Sequence, residues 1–147
     1  MEGFTKKQAV MLSGLTERQV QFYTDRRIIV PEVADSTGTG KKRLYSKHNI
    51  LQMHIVKTLA DQGVTIDRVR VILKYIENDG MIRQYEERQL HDQNIKMHIK
   101  IIKKDDGRLE ARYEMQPGGT CAVPMEEAEG SDMIILLNFG RIASRTK

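Results

Sequence analysis

The spacing of apolar residues changes partway along this chain, and that change limits what it can fold into. Up to residue 76 they recur at three- and four-residue intervals, as in Ile50, Leu51, Ile55, Val56 and Leu59, and again in Ile66, Val69, Ile72, Leu73 and Ile76. Such stripes belong to helices that bury one face. From Ile95 the period becomes two: Ile95, Met97, Ile99 and Ile101 alternate with Lys96, His98 and Lys100, and Leu109, Ala111, Tyr113 and Met115 alternate with Arg108, Glu110, Arg112 and Glu114. Half-buried strands read this way. The punctuation at Asn78-Asp79-Gly80 separates the two regimes, so residues 1–78 and 79–147 are read as two modules of an α+β chain.

Within the first module, Thr5 caps a helix running to Leu12, and Ser13-Gly14-Leu15 breaks it. Thr16 caps a second helix through Tyr23, with Glu17 at the positive end of its dipole. Two short helices joined by a glycine-containing turn form a helix-turn-helix. Ile28, Ile29 and Val30 precede Pro31, which favours extended backbone. Turn chemistry fills Asp35 to Gly40, and Lys41-Lys42-Arg43-Leu44-Tyr45 follows; this sequence describes a β-hairpin wing with a basic return strand. Ser46 caps a third helix ending near Gly63, and a fourth carries the Ile66 to Ile76 stripe.

The second module opens with a polar stretch, Met81 to Gln93, read as a short helix. It is too sparse in apolar residues for a long coiled coil. Its first two strands join through Asp105-Asp106-Gly107, and register decides the loop length. A three-residue loop pairs Ile101 with Ala111, Ile99 with Tyr113 and Met97 with Met115, whereas a two-residue turn mixes the apolar and polar faces. Met133 to Leu137 is a continuous apolar run, which implies a more deeply buried third strand. The basic tail from Arg141 is expected to fray.

The formal charge of +4 is unevenly spread. Residues 1–76 carry 13 Lys and Arg against 7 Asp and Glu, and residues 77–147 carry 11 against 13. A basic half suits a polyanion, because phosphate neutralisation releases counterions. No apolar run reaches the length of a membrane span, and a cytoplasmic location is expected. The single cysteine, Cys121, cannot form an internal disulfide and is too little for a thiolate metal site. His48 and His54 are six residues apart and point to different sides of their helix. No phosphate loop, nucleophile elbow or HExxH helix is present, and neither an enzyme, a metal nor a cofactor is expected.

Three segments in order, Ser13-Gly14-Leu15-Thr16 through Val20-Gln21-Phe22-Tyr23, Arg43-Leu44-Tyr45-Ser46, and Gln62-Gly63-Val64-Thr65-Ile66 with Val69 and Ile72, resemble the N-terminal winged helix-turn-helix of the MerR family of transcriptional regulators. The resemblance implies four helices plus the wing; the short helix and small antiparallel β module read downstream depart from the family, whose members typically dimerise through a long antiparallel helix. It implies that the second helix enters the major groove, with Thr16 at its start and Glu17, Arg18 and Gln19 facing the bases. Tyr23, Arg26, Lys41, Lys42, Arg43 and Tyr45 would then position phosphates. Members of the family usually carry Arg where Gln21 stands, Tyr at Phe22 and Gly at Arg27, so Gln21 is a weakened member of the contact set and Arg26 or Arg27 is expected to supply the phosphate contact instead.

The expected function is a sequence-specific double-stranded-DNA-binding regulator, acting as a homodimer through residues 81–139, with RNA polymerase at promoters as a further partner. Two alternatives stand beside it. One is a protein-interaction adaptor whose β module docks a partner, and the other is a small-molecule sensor with a pocket lined by Tyr85, Met97, Tyr113 and Met115.

Overall fold

Each of the first three helices starts at a hydroxyl side chain that closes a reciprocal cap. Thr5 accepts from the Gln8 amide and Gln8 accepts from Thr5 N–H at the head of α1 (Lys6–Ser13). Thr16 and Gln19 do the same for α2 (Glu17–Asp25), and Ser46 and Asn49 for α3 (Lys47–Asp61). Two otherwise orphaned backbone donors are satisfied at each start. Gly14 ends α1 at φ 71°, where an L side chain is disfavoured, and turns the chain into α2.

This is a computed structural model, and it describes residues 3–35, 42–78, 83, 96–103, 106, 109–116, 133–137, 141–142 and 145, with backbone alone along the strands. Contacts divide the chain into two compact units, 1–64 with 145–147, and 65–144. In the first unit α1 packs against both α2 and α3, around a core that includes Ala9, Leu15, Val20, Ile29, Met53, Ile55 and Leu59. In the second, α4 (Ile66–Asn78) buries Val69, Ile72, Leu73 and Ile76 and packs against a strand of an antiparallel sheet.

That sheet contains β1 (Lys96–Lys103), β2 (Leu109–Gln116) and β3 (Met133–Leu137) in the order β2-β1-β3, and α4 lies against β2. Ile101 pairs with Ala111, Ile99 with Tyr113 and Met97 with Met115; on the other side of β1 the same residues pair with Met133, Ile135 and Leu137. Three alternate rungs are therefore apolar across all three strands, as one face of a sheet requires. The central strand is β1, and β3, expected to be the deeper one, is an outer strand of the three.

The fold class needs correction at the wing. Among the described residues the N-terminal half has four helices and no strand, so the β-hairpin ladder of a winged α+β module is not formed. The return segment makes two isolated rungs instead, Leu44 with Ala34 and Tyr45 with Phe4. The two rungs lie on opposite edges of the return segment, so the outgoing leg and the N-terminal segment flank it from either side. Gly3 permits this approach, since a Cβ there would stand 2.8 Å from Val33 Cγ1 and 3.0 Å from Leu44 Cβ. The wing tip with Lys41, the short helix read over 81–93 apart from the helical Arg83, and Cys121 lie outside the described residues. The tail is also corrected where it is described: Ile142 is buried, and Arg145 lies close enough to His54 to act on its charge.

One fully buried amide ties the two legs of the wing to α3. Asn49 Oδ1 accepts from Glu32 N–H (2.9 Å) and Ser46 N–H (3.1 Å), while Nδ2 donates to Val30 C=O (2.9 Å) and Gln52 Oε1 (2.8 Å). Ser46 Oγ donates to Glu32 Oε2 at 2.5 Å and closes the ring. Replacing Asn49 by Ala leaves several of these groups without partners, and we expect a loss of about 3 kcal/mol in urea denaturation.

His54, 6% exposed, has no partner at Nε2 among the described residues. Burial lowers its pKa from 6.5, as do the charges of Arg145 and Lys57, against imidazole hydrogen bonds to the backbone of Arg145 and Leu12 that raise it. The folded state thus takes up a proton less readily than the unfolded chain. The stability associated with neutral His54 is complete above pH 6.5 and falls as pH drops below that value. Between about pH 7 and 5 the unfolding midpoint should decline, and His54→Leu should flatten that decline.

Candidate nucleic-acid interface

Helix α2 buries Val20, Tyr23 and Thr24 and leaves two parallel rows outside. Four-residue spacing places Glu17, Gln21 and Asp25 along one row and Arg18, Phe22 and Arg26 along the next.

The first row is occupied by contacts within the protein. Lys6 Nζ lies 2.9 Å from Glu17 Oε1 and donates to Gln21 Oε1 at 3.4 Å. Gln21 Nε2 in turn donates to both Asp25 oxygens, at 2.9 and 2.8 Å. Arg43 on the wing's return leg reaches Asp25 Oδ1 at 2.8 Å. The hydrogen bond from Lys6, with its charge, holds the Glu17 carboxyl below the usual carboxylate range, and Gln21 followed by Arg43 does the same for Asp25. Both carboxylates stay ionised and paired, and the chain from Lys6 to Arg43 joins α1, α2 and the wing.

The second row faces outward. Arg18 is exposed, Phe22 is 41% exposed, and the Arg26 guanidinium sits 5.5 Å from the Phe22 ring centroid. Phe22 also meets Tyr23 edge to face at 5.5 Å. Sequence reasoning passed over Phe22 as a site residue; its four-residue spacing from both Arg18 and Arg26 was the available signal. Lys42 is exposed at the base of the return leg, beside Arg43.

The remaining expected contacts are placed differently. Gln19 and Thr16 are engaged in the cap, so a bidentate reading of adenine by Gln19 would have to open that cap. Tyr23 is 6% exposed, and burial, with the Asp61 charge, pushes its hydroxyl pKa up. Tyr45 is 0% exposed, and its hydroxyl lies 3.0 Å from Thr24 Oγ1, which donates to Val20 C=O at 2.8 Å. These tyrosines pack the back of α2 against the return leg. An aromatic at the edge of a basic run reads as a surface contact until burial is known. Among the described residues no cluster of His, Cys, Asp and Glu could hold a metal, and no helix is long and apolar enough to cross a membrane.

A capped helix thus carries an outward Arg-Phe-Arg row and is braced against a basic extended segment. Residues 4–76 match the MerR HTH family of regulatory proteins. Residues 4–76 of this chain belong to that family. They form a DNA-binding helix-turn-helix domain of the MerR type. HTH-type transcriptional regulators of Mycobacterium bovis and Mycobacterium tuberculosis are 32% identical over 79 residues, 54% of this chain and 35% of theirs. The chain thus spans about a third of the length of those relatives. The HTH-type transcriptional regulator GlnR of Bacillus anthracis is 26% identical over 108 residues, 74% of this chain and 73% of its own length.

The burial of Tyr45 within this MerR-type domain has a measurable consequence. Tyr45→Phe should cost about 1 kcal/mol of stability by removing the hydroxyl's hydrogen bond, and it should leave the salt dependence of DNA binding unchanged. A slope reduced by about 0.9 in a fluorescence titration would instead put the hydroxyl on a phosphate.

Proposed function

We propose that the chain is a sequence-specific, double-stranded-DNA-binding transcriptional regulator that acts as a homodimer in the cytoplasm. Residues 1–78 are then the DNA-binding module, and 79–147 the dimerisation or effector module. The supporting observation is the outward row Arg18, Phe22 and Arg26 on a capped helix whose other row is already internally paired. In the major groove Arg18 suits a guanine edge and Phe22 a thymine methyl, while Arg26 and Lys42, together with Lys41 outside the described residues, would fix the register on phosphates, and Arg43 would join them on leaving Asp25.

The +6 charge of residues 1–76 supplies the sequence-independent affinity. Two copies are proposed because a reader this small gains specificity from two half-sites at fixed spacing. A regulator seated at a promoter would meet RNA polymerase there. Its work is done by binding, with no catalytic step.

The test is a titration of promoter duplexes at several salt concentrations. Arg18→Ala should weaken the preferred site by about 1–3 kcal/mol and relax the preference at one base pair. Joint replacement of Lys41, Lys42 and Arg43 by Ala should weaken all duplexes alike and make the salt slope shallower by about 0.9 for each phosphate that is no longer neutralised. Footprints over two inverted half-sites are expected of the dimer. Unchanged affinity in both variants would overturn the reading.

A further inference from the structure

Arg27 is the one residue other than glycine with a positive φ among the described residues, at 56°. It stands just past α2, where Ile28 N–H bonds Tyr23 C=O (2.9 Å) and Arg27 N–H bonds Thr24 C=O (3.0 Å). That pair of bonds is the Schellman ending, whose left-handed position favours glycine. An arginine there is held in a strained conformation by its surroundings.

Nothing in the packing accounts for an arginine here. Its side chain is 62% exposed, and its described partner is Asp35 Oδ2, 2.6 Å from NH1. An ion pair this exposed adds little stability. The negative end of the α2 dipole already has a cation in Arg26, which needs no left-handed backbone. What Asp35 does provide is direction. It sits on the outgoing leg of the wing, directly before the tip, and holds the Arg27 guanidinium between the end of α2 and that leg. Arg43, by contrast, is tied down on the other leg by Asp25, with its side chain 24% exposed.

We infer that Arg27 is a DNA-backbone contact, kept at a strained position because it places a guanidinium against the phosphate that lies between the recognition helix and the wing. This rests on the proposed DNA-binding reading and adds a residue to it. The contact is to phosphate oxygen, through guanidinium donors other than the one engaged by Asp35, so it adds affinity without sequence preference.

The experiment titrates the full chain against a fluorescein-labelled random-sequence duplex over a salt series, with urea unfolding of the same proteins. Arg27→Gly should unfold at an equal or higher urea concentration yet bind roughly tenfold more weakly at low salt. Its log–log salt slope should be shallower by about 0.9. Arg27→Asn, which tolerates the left-handed backbone, should show the same shallower slope, and Arg27→Lys should keep most of the original one. An unchanged slope in the Gly and Asn variants overturns the inference. So does a shallower slope that comes together with a lower unfolding midpoint in both, which would make Arg27 a structural residue. Failure of the unaltered chain to bind any duplex would instead remove the DNA-binding reading itself.

Discussion

A primary amide has two lone pairs to accept with and two protons to donate, and Asn49 uses all four on groups of the outgoing leg and of the third helix with its cap. Two of its partners lie on the outgoing leg of the wing, one begins the third helix, and one is a turn further along that helix. Because the amide is fully buried, water cannot substitute for any of them, and the legs must keep their spacing. That spacing places Leu44 and Tyr45 where they bond Ala34 and Phe4, and it places the Tyr45 hydroxyl on Thr24 at the back of the recognition helix. The orientation of α2 relative to the wing thus follows from a side chain on a helix that carries no proposed contact of its own.

Cap positions and helical stripes were legible because they are local. Thr5, Thr16 and Ser46 each announce a helix start by a hydroxyl followed three residues later by an amide, and the structure closes all three. What was not legible depends on partners distant in sequence. The rung between Phe4 and Tyr45 joins residues about 40 positions apart, and nothing in either segment names the other. The strand order β2-β1-β3 is equally silent, since an apolar run such as Met133 to Leu137 suits an outer strand covered on its faces as well as a central one.

The candidate site shows the same divide. The exposure of Arg18 and Arg26 was readable from their charge and their places on the helix. The burial of Tyr23 and Tyr45 was not, because an aromatic with a polar tip serves equally well as a buried brace and as a surface contact. Arg27 was readable as one of two cations that could replace the phosphate contact missing at Gln21, but its left-handed backbone was not, because that is a property of the turn around it.

Two carboxylates beside a surface meant for a polyanion look like a contradiction, and their pairing resolves it. Glu17 and Asp25 each occupy a cation that would otherwise be free to seek phosphate, so the row they form contributes little net attraction. On the proposed reading, a duplex seated in register presents its phosphates to Arg26, Arg27 and the wing and its base edges to the Arg18 row. A duplex rotated toward the other row brings phosphate against two ionised carboxylates and meets repulsion. The acidic row therefore selects an orientation, and the Gln21 amide that bridges Lys6 and Asp25 keeps it assembled while the helix is unbound. An arginine at position 21 would strengthen attraction along this row and weaken that discrimination. On that reading the phosphate contacts of this chain would be shifted to the helix end and the wing, where they would fix the register without competing for the row that would face the bases.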